Sequence, residues 1–293
     1  MFGIRIALSV SILGLVGSMA QADTPHAGTD AVTNADALLR PVTTEKNHDE
    51  YTVGIGVIAV PLYEGSSQTS VSPAAALRAT IRGYDFSVSG TTVSLNLNRE
   101  RPHKKRRFYY GPSVNVGFNS VGDLKSKDPQ IAALNINRSS INIGGQFGYQ
   151  KTKWLTPFDS ASIGVGFGDN VSGTKNSYTI SPNITYGTPV YRLIYVGLSA
   201  SADYTGGGTA RQFFAVTPNQ SIASGLPAFD IGAGWRDVTV SGLVNIVLKG
   251  NLHHGLSLVV GASHETLLGA FAHSPIVRAK QQLISGAGLA YQF

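Results

Sequence analysis

From Tyr51 to Phe293 the chain alternates apolar residues with small or polar ones, in segments separated by turn residues. The alternation is clearest at 178–187. There Tyr178, Ile180, Pro182, Ile184 and Tyr186 share one face, and Thr179, Ser181, Asn183, Thr185 and Gly187 the other. In 141–150, Ile141, Ile143, Phe147 and Tyr149 oppose Asn142, Gly144, Gln146 and Gln150. In 161–168, Ala161, Ile163, Val165 and Phe167 oppose Ser162, Gly164, Gly166 and Gly168. A period of two is that of a strand, whose successive side chains point to opposite faces. The pattern predicts strands at 51–61, 71–82, 84–89, 91–98, 108–119, 140–151, 159–168, 178–187, 190–204, 235–249, 252–266 and 281–293. That makes about twelve, an even number as bacterial barrels have; about ten is the alternative, with some segments outside the sheet.

Two all-β architectures give this pattern. In a soluble sandwich the apolar face is the core and the polar face meets water. In a transmembrane antiparallel β-barrel the apolar face meets lipid and the small polar face lines the interior. Few charges lie on either face, and the polar face is Gly, Ser, Asn and Thr, which suits a crowded or wet lumen. Aromatic residues cluster at segment ends, as interface girdles do: Tyr51, Tyr63, Phe108, Tyr109, Tyr110, Tyr149, Trp154, Tyr178, Tyr186, Tyr191, Tyr204 and Trp235. The last strand carries Leu283, Leu289, Tyr291 and Phe293 on one face. A terminal Phe with an aromatic two residues before it resembles the signal read by the outer-membrane barrel assembly machinery. These features together favour the barrel.

Composition narrows the class further. Of 293 residues, 42% are hydrophobic, 14% are charged, 34 are Gly and none is Cys. So much apolar content with so little charge excludes a disordered chain. The lack of Cys excludes disulfide staples and thiolate metal sites. No apolar run of about twenty residues follows the first segment, which excludes a helical membrane protein. Residues 1–22 read as a secretory signal: Arg5, an apolar run from Ile6 to Val16, and a small-x-small cleavage site at Ala20-Gln21-Ala22. Residues 23–49 are polar without a period and read as a flexible periplasmic leader, leaving 50–293 as the barrel.

Counting strands back from a periplasmic carboxyl terminus puts 120–139, 169–177, 205–234 and 268–280 outside the cell. The basic run Arg99, Arg101, His103, Lys104, Lys105, Arg106 and Arg107 then forms a periplasmic turn. It suits an acidic partner or anionic lipid headgroups, or is simply a solvated turn. With the opposite parity it would face lipopolysaccharide phosphates. Nucleic acid is excluded by compartment. Arg78 and Arg82 share the polar side of their strand, with Asp203 and Glu265 as inward acids on others. They form either an anion-favouring constriction or a structural ion pair.

No catalytic residue, cofactor or metal site is expected. Ser263 and His264 are adjacent and so face opposite ways, and no His, Asp or Glu group has metal-ligand spacing. Thr205-Gly206-Gly207-Gly208-Thr209 is glycine-rich, but no Lys-Ser/Thr and no helical pattern follows it. Phe213, Phe214, Leu226 and Phe229 in the same loop either fold inward as a plug or form a contact patch, and folding inward is favoured.

Phe214-Ala215-Val216-Thr217-Pro218, then Ala223-Ser224-Gly225-Leu226-Pro227-Ala228-Phe229 and Gly232-Ala233-Gly234, resemble the signature of the MltA-interacting protein / OmpV family. Tyr63-Glu64-Gly65-Ser66, Ser274-Pro275-Ile276-Val277 and the Tyr-x-Phe end fit it as well. The loop 120–139 and the basic run 99–107 depart from it. The resemblance implies an outer-membrane barrel acting as an envelope scaffold, one that bridges a murein transglycosylase and a bifunctional penicillin-binding protein. Other members of the family are described as porin-like channels or as surface adhesins and antigens.

Overall fold

A computed structural model describes residues 49–99, 106–117, 128–134, 140–172 and 175–293. The signal, the leader up to residue 48, and Arg101, His103, Lys104 and Lys105 lie outside the described residues.

Twelve antiparallel strands close into a barrel, each paired with its neighbours in sequence and the first with the last. They are β1 (Glu50–Pro61), β2 (Thr69–Ile81), β3 (Tyr84–Ser89), β4 (Thr92–Asn96), β5 (Arg106–Gly117), β6 (Ser140–Thr152), β7 (Ser160–Asn170), β8 (Tyr178–Tyr191), β9 (Ile194–Thr205), β10 (Gly234–Asn251), β11 (His254–Leu267) and β12 (Gln281–Gln292). The alternative of ten is thereby removed. The short strands β3 and β4 pair with each other and with their flanking strands. Closure is completed where the Phe293 N–H donates to the Tyr51 carbonyl at 2.8 Å.

Alternation sorts the two faces around the wall. Outward stand residues such as Ile55 (67% exposed), Val71 (70%) and Ile163 (60%), exposure that a water-soluble protein of this size does not show as a continuous coat. Inward, the register carries one polar row from strand to strand: Thr52 opposite Arg78, Arg78 opposite Ser87, Ser87 opposite Ser94, and Ser94 opposite Ser113. This is the arrangement of a lipid-facing barrel, with apolar residues outside and small polar ones within.

Aromatic residues band both ends of the outer face. At one end Tyr178 stacks on Tyr204, with ring centroids 6.5 Å apart, and Tyr204 meets Trp235 edge to face at 5.5 Å. At the other, Phe108 meets Tyr149, Trp154 meets Tyr186, and Tyr291 meets Phe293. Two residues expected in the girdles stand elsewhere. Tyr63 is buried under a loop and donates its hydroxyl to the Ile276 carbonyl at 3.3 Å. Tyr109 points into the lumen, where its ring lies across Gly148 of β6 and Gly164 of β7; a Cβ on either glycine would collide with it. Alternation explains Tyr109, since Phe108 and Tyr110 on either side of it take the lipid face.

The two rims differ. One has short turns at Arg82-Gly83, at Arg192-Leu193 and at Leu252-His253. The other carries long connections with three helices, α1 (Pro129–Ala133), α2 (Gly207–Phe214) and α3 (Pro218–Ser224), and a 3₁₀ turn at Phe271–His273. Short turns mark the periplasmic side and long loops the outer side of such barrels.

The long loops fold onto one another. Tyr63, Ile131, Leu134, Val216, Leu226 and Ile276 form one buried cluster. Ala210, Phe213, Phe214, Ile231, Leu267, Phe271 and Ala272 form a second. Apart from Leu267 at the end of β11, these residues come from the connections β1–β2, β5–β6, β9–β10 and β11–β12, so the apolar loop 205–234 lies across the outer mouth as a cap. Sequence signals set its helices. Thr217 and Gln220 make a reciprocal capping box, Pro218 opens α3, and Gly225 closes it at φ 72°. The expectation of no helix after the glycine run is corrected: α2 starts there. The Gly206 and Gly208 N–H groups donate to the carbonyls of Tyr178 and Asn176, and a Cβ on Gly208 would press on 175–177. An eight-residue helix is too short to show a helical period.

Candidate functional site

Three polar groupings lie on or beneath this frame. The first is at the outer end of the lumen, directly under the cap. The register of β10 against β9 shifts between Trp235 and Asp237, leaving Arg236 in a bulge. Arg236 and Asp237 therefore both turn inward, although strict alternation puts Arg236 on the lipid side. The Arg236 guanidinium is 2% exposed. It meets Asp203 of β9, Asp237 at 2.6 Å and Glu64 of the β1–β2 loop at 2.9 Å. Glu265, on β11, faces Thr239 across the β10–β11 ladder and is buried beside them. Asp203 and Glu265 thus both stand inside the barrel, at its outer end.

Sequence reasoning did not single out Arg236, Glu64 or Asp237 as a site. An arginine on what alternation marks as the lipid face was the available signal, because an unpaired cation there is costly. Folding also brings together acids that no metal-ligand spacing along the chain connects. Glu64, Asp237 and Glu265 each offer an oxygen within 4.8 Å of the others. They come from three separate elements, so their spacing along the chain gave no sign of it.

The second grouping is inside the wall nearer the short turns. Arg78 and Arg107 both approach Asp85, at 3.6 and 3.8 Å. Arg107 also donates to Gln150 Oε1 at 2.6 Å, and Asp85 accepts from Thr80 at 2.8 Å. Two expected placements change here. Arg107 lies within β5 and points into the lumen rather than into the basic turn. Arg82 is not a lumen residue: it is exposed in the turn after β2, at φ 53°, with its N–H on Asp49 at 2.7 Å. Gly83 follows it at φ 84°, so the tight turn takes Arg82 off the strand's inner face.

The third grouping is the rim of short turns. Arg82, Arg99, Arg106, Lys153, Arg192 and Lys249 are exposed there. The acid Asp159 at the same rim is buried inside its own turn. It accepts from the backbone N–H groups of Trp154, Leu155 and Thr156 at 2.7, 2.8 and 3.1 Å. Burial pushes the Asp159 carboxyl up, but these donors outweigh it and hold it below the usual aspartate range. Among the described residues the exposed charge of this rim is mainly positive, with Asp49 as its exposed acid. Tyr291 and Phe293 lie beside it on the outer face, 39% and 61% exposed, with ring centroids 4.7 Å apart.

The family model described as MltA-interacting protein MipA matches residues 53–293. Among curated proteins no relative matches the chain. Solved structures similar to it include the outer-membrane expressed OmpT of Vibrio cholerae (6% identity, TM-score 0.38, 87% of this chain and 100% of that one). The CymD monoaromatic hydrocarbon channel is similar at 12% identity and TM-score 0.39, over 85% of this chain and 89% of that one. The anion-selective porin from Comamonas acidovorans is similar at 10% identity and TM-score 0.34, over 84% and 99%.

Proposed function

Because the chain belongs to the MltA-interacting protein family, a family of bacterial outer-membrane barrels, we propose that it is an envelope scaffold whose periplasmic rim docks a murein transglycosylase of the MltA kind. The observation that carries this reading is the exposed basic rim of Arg82, Arg99, Arg106, Lys153, Arg192 and Lys249. Such a surface steers and holds an acidic partner by long-range attraction. The capped outer mouth supports the same reading, since a scaffold needs a rigid body and no passage. Pairing of Arg78 and Arg107 with Asp85 supports a structural role for the lumen charges. A bifunctional penicillin-binding protein is the second partner, on the family resemblance. Tyr291 and Phe293 serve as the signal to the barrel assembly machinery.

The small polar inner wall (Ser87, Ser94, Ser113, Asn115) supports a second reading, a porin-like passive channel for small solutes. One pair of measurements separates the two. The refolded chain is immobilised and tested for binding of a purified MltA-type transglycosylase over a salt series, and the same preparation is placed in a planar bilayer. A scaffold binds, with affinity falling steeply as salt screens the rim, and conducts nothing. The variant Arg82→Glu/Arg192→Glu binds at least about tenfold more weakly while its barrel stays folded. Discrete conductance steps without binding overturn the scaffold reading in favour of the channel.

A further inference from the structure

Under the cap, Glu64, Asp203 and Asp237 gather around the buried guanidinium of Arg236, with Glu265 beside them. All four acids are buried, and Glu265 is 1% exposed. Among the described residues, neither oxygen of Glu265 meets a hydrogen-bond donor. A buried carboxyl group left without a partner is unfavourable, so Glu265 is short of a positive one.

An independent observation comes from the neighbouring strand. Gln282 of β12 lies directly opposite Glu265 in the β11–β12 ladder and is also buried. Its Nε2 donates to the carbonyls of Ser66 and Tyr63, at 3.1 and 3.4 Å. Those two carbonyls fix which way the amide is turned, because the reverse orientation would set oxygen against oxygen. The Oε1 of Gln282 is thereby committed to the other side, where it has no donor. An amide oxygen and a carboxyl group, opposite each other on adjacent strands, both lack a donor among the described residues.

We propose that Glu64, Asp237, Glu265 and the Oε1 of Gln282 bind a calcium ion. All the ligand atoms are oxygen, which selects a hard cation over zinc or copper. The carboxylate oxygens lie within 4.8 Å of one another. Calcium takes six to eight oxygens in flexible geometry, whereas magnesium demands a near-ideal octahedron and gives up its water reluctantly. A cage of side-chain oxygens drawn from four separate elements therefore suits calcium. A divalent charge offsets the surplus of acid, and the ion ties the β1–β2 loop to β10, β11 and β12. Calcium thus clamps the cap to the barrel.

The test uses the full-length chain refolded in detergent free of lipopolysaccharide and stripped with EDTA. Calcium is titrated by calorimetry, and melting is followed by loss of the heat-modifiable gel band. The expected result is one calcium per chain, at least tenfold weaker magnesium binding, and a melting temperature raised by several degrees. Glu265→Gln keeps the folded band, loses at least tenfold in calcium affinity and melts no lower than the stripped parent. If Glu265→Gln does not fold, Glu64→Gln, which alters a loop residue, shows the same loss of affinity. Asp230→Asn, at an exposed loop acid, leaves binding unchanged. A parent chain that takes up no calcium, or a variant at Glu265 or Glu64 that binds as the parent does, overturns the proposal.

Discussion

Arg236 on β10 holds Glu64, in the loop after β1, at 2.9 Å. Wall and cap are joined by this buried ion pair, and the same guanidinium answers Asp203 and Asp237. Arg236→Met removes a guanidinium that these acids share and leaves them buried. Breaking a buried pair from one side costs about 3–5 kcal/mol. We expect the heat-modifiable band of Arg236→Met to be lost at a much lower temperature than that of the parent. An unchanged melting curve would show that the acids find other counter-charges.

Tyr109 can lie flat on the inner wall because Gly148 and Gly164 leave room for its ring. Gly164→Ala pushes a methyl group into that ring and costs about 1–3 kcal/mol, as overpacking does. The double variant Gly164→Ala/Tyr109→Ala relieves the clash, so its added loss over Tyr109→Ala alone is small. A double-variant cycle by thermal melting measures the coupling; additive losses would mean that the ring has other room.

Asp159 stabilises the periplasmic turn through its ionised form, since its carboxyl is held below the usual aspartate range. A group with a depressed folded-state value contributes stability at all pH above its unfolded value. It loses that contribution as pH falls through the lower, folded value. Asp159→Asn is therefore less stable than the parent at neutral pH, and the gap closes only below the ordinary aspartate range. Amide hydrogen exchange at Trp154, Leu155 and Thr156 over a pH series reads this directly. A gap that widens towards acid would reverse the assignment.

The cap predicts a silent barrel. Replacing residues 207–231 by a short Gly/Ser linker removes α2, α3 and their share of both apolar clusters and leaves the strand ladder intact. The replacement variant, still heat-modifiable, shows discrete conductance steps in a planar bilayer while the parent shows none. A parent that conducts as freely as the variant would mean that the loops leave the mouth open.

All twelve strands were legible in the sequence, because lipid outside and a small polar interior impose a period of two on every crossing. The short pair β3 and β4 was the open point, and it was settled only by closure. What alternation could not show was where it breaks. Arg236 turns inward through a bulge, and its one trace in the pattern is a cation on the face that alternation assigns to lipid. Glu64 reaches the same point from a loop, across a contact between distant segments that only closure of the barrel creates. Phe213 and Phe214 stood out as apolar for a loop, and their burial followed from that. Of the partners that bury them, Leu267 ends β11 and Phe271 belongs to the β11–β12 connection, and those distant contacts were not legible. Tyr63 and Tyr109 fooled the girdle count for one reason: an aromatic residue near a strand end serves a lumen or a cap as readily as an interface.

The ring of Tyr109 also bears on how the growing barrel keeps its register. Sliding a strand by one residue turns every side chain to the wrong face, and the lipid corrects it. Sliding by two residues returns each side chain to its proper face, so hydrophobicity does not object. At that offset Gln146 or Gln150 would stand where Gly148 now does, beneath the Tyr109 ring. Tyr109 therefore works as a key cut for the pairing of β5 with β6, and rejects two-residue misalignments that the membrane itself would let pass.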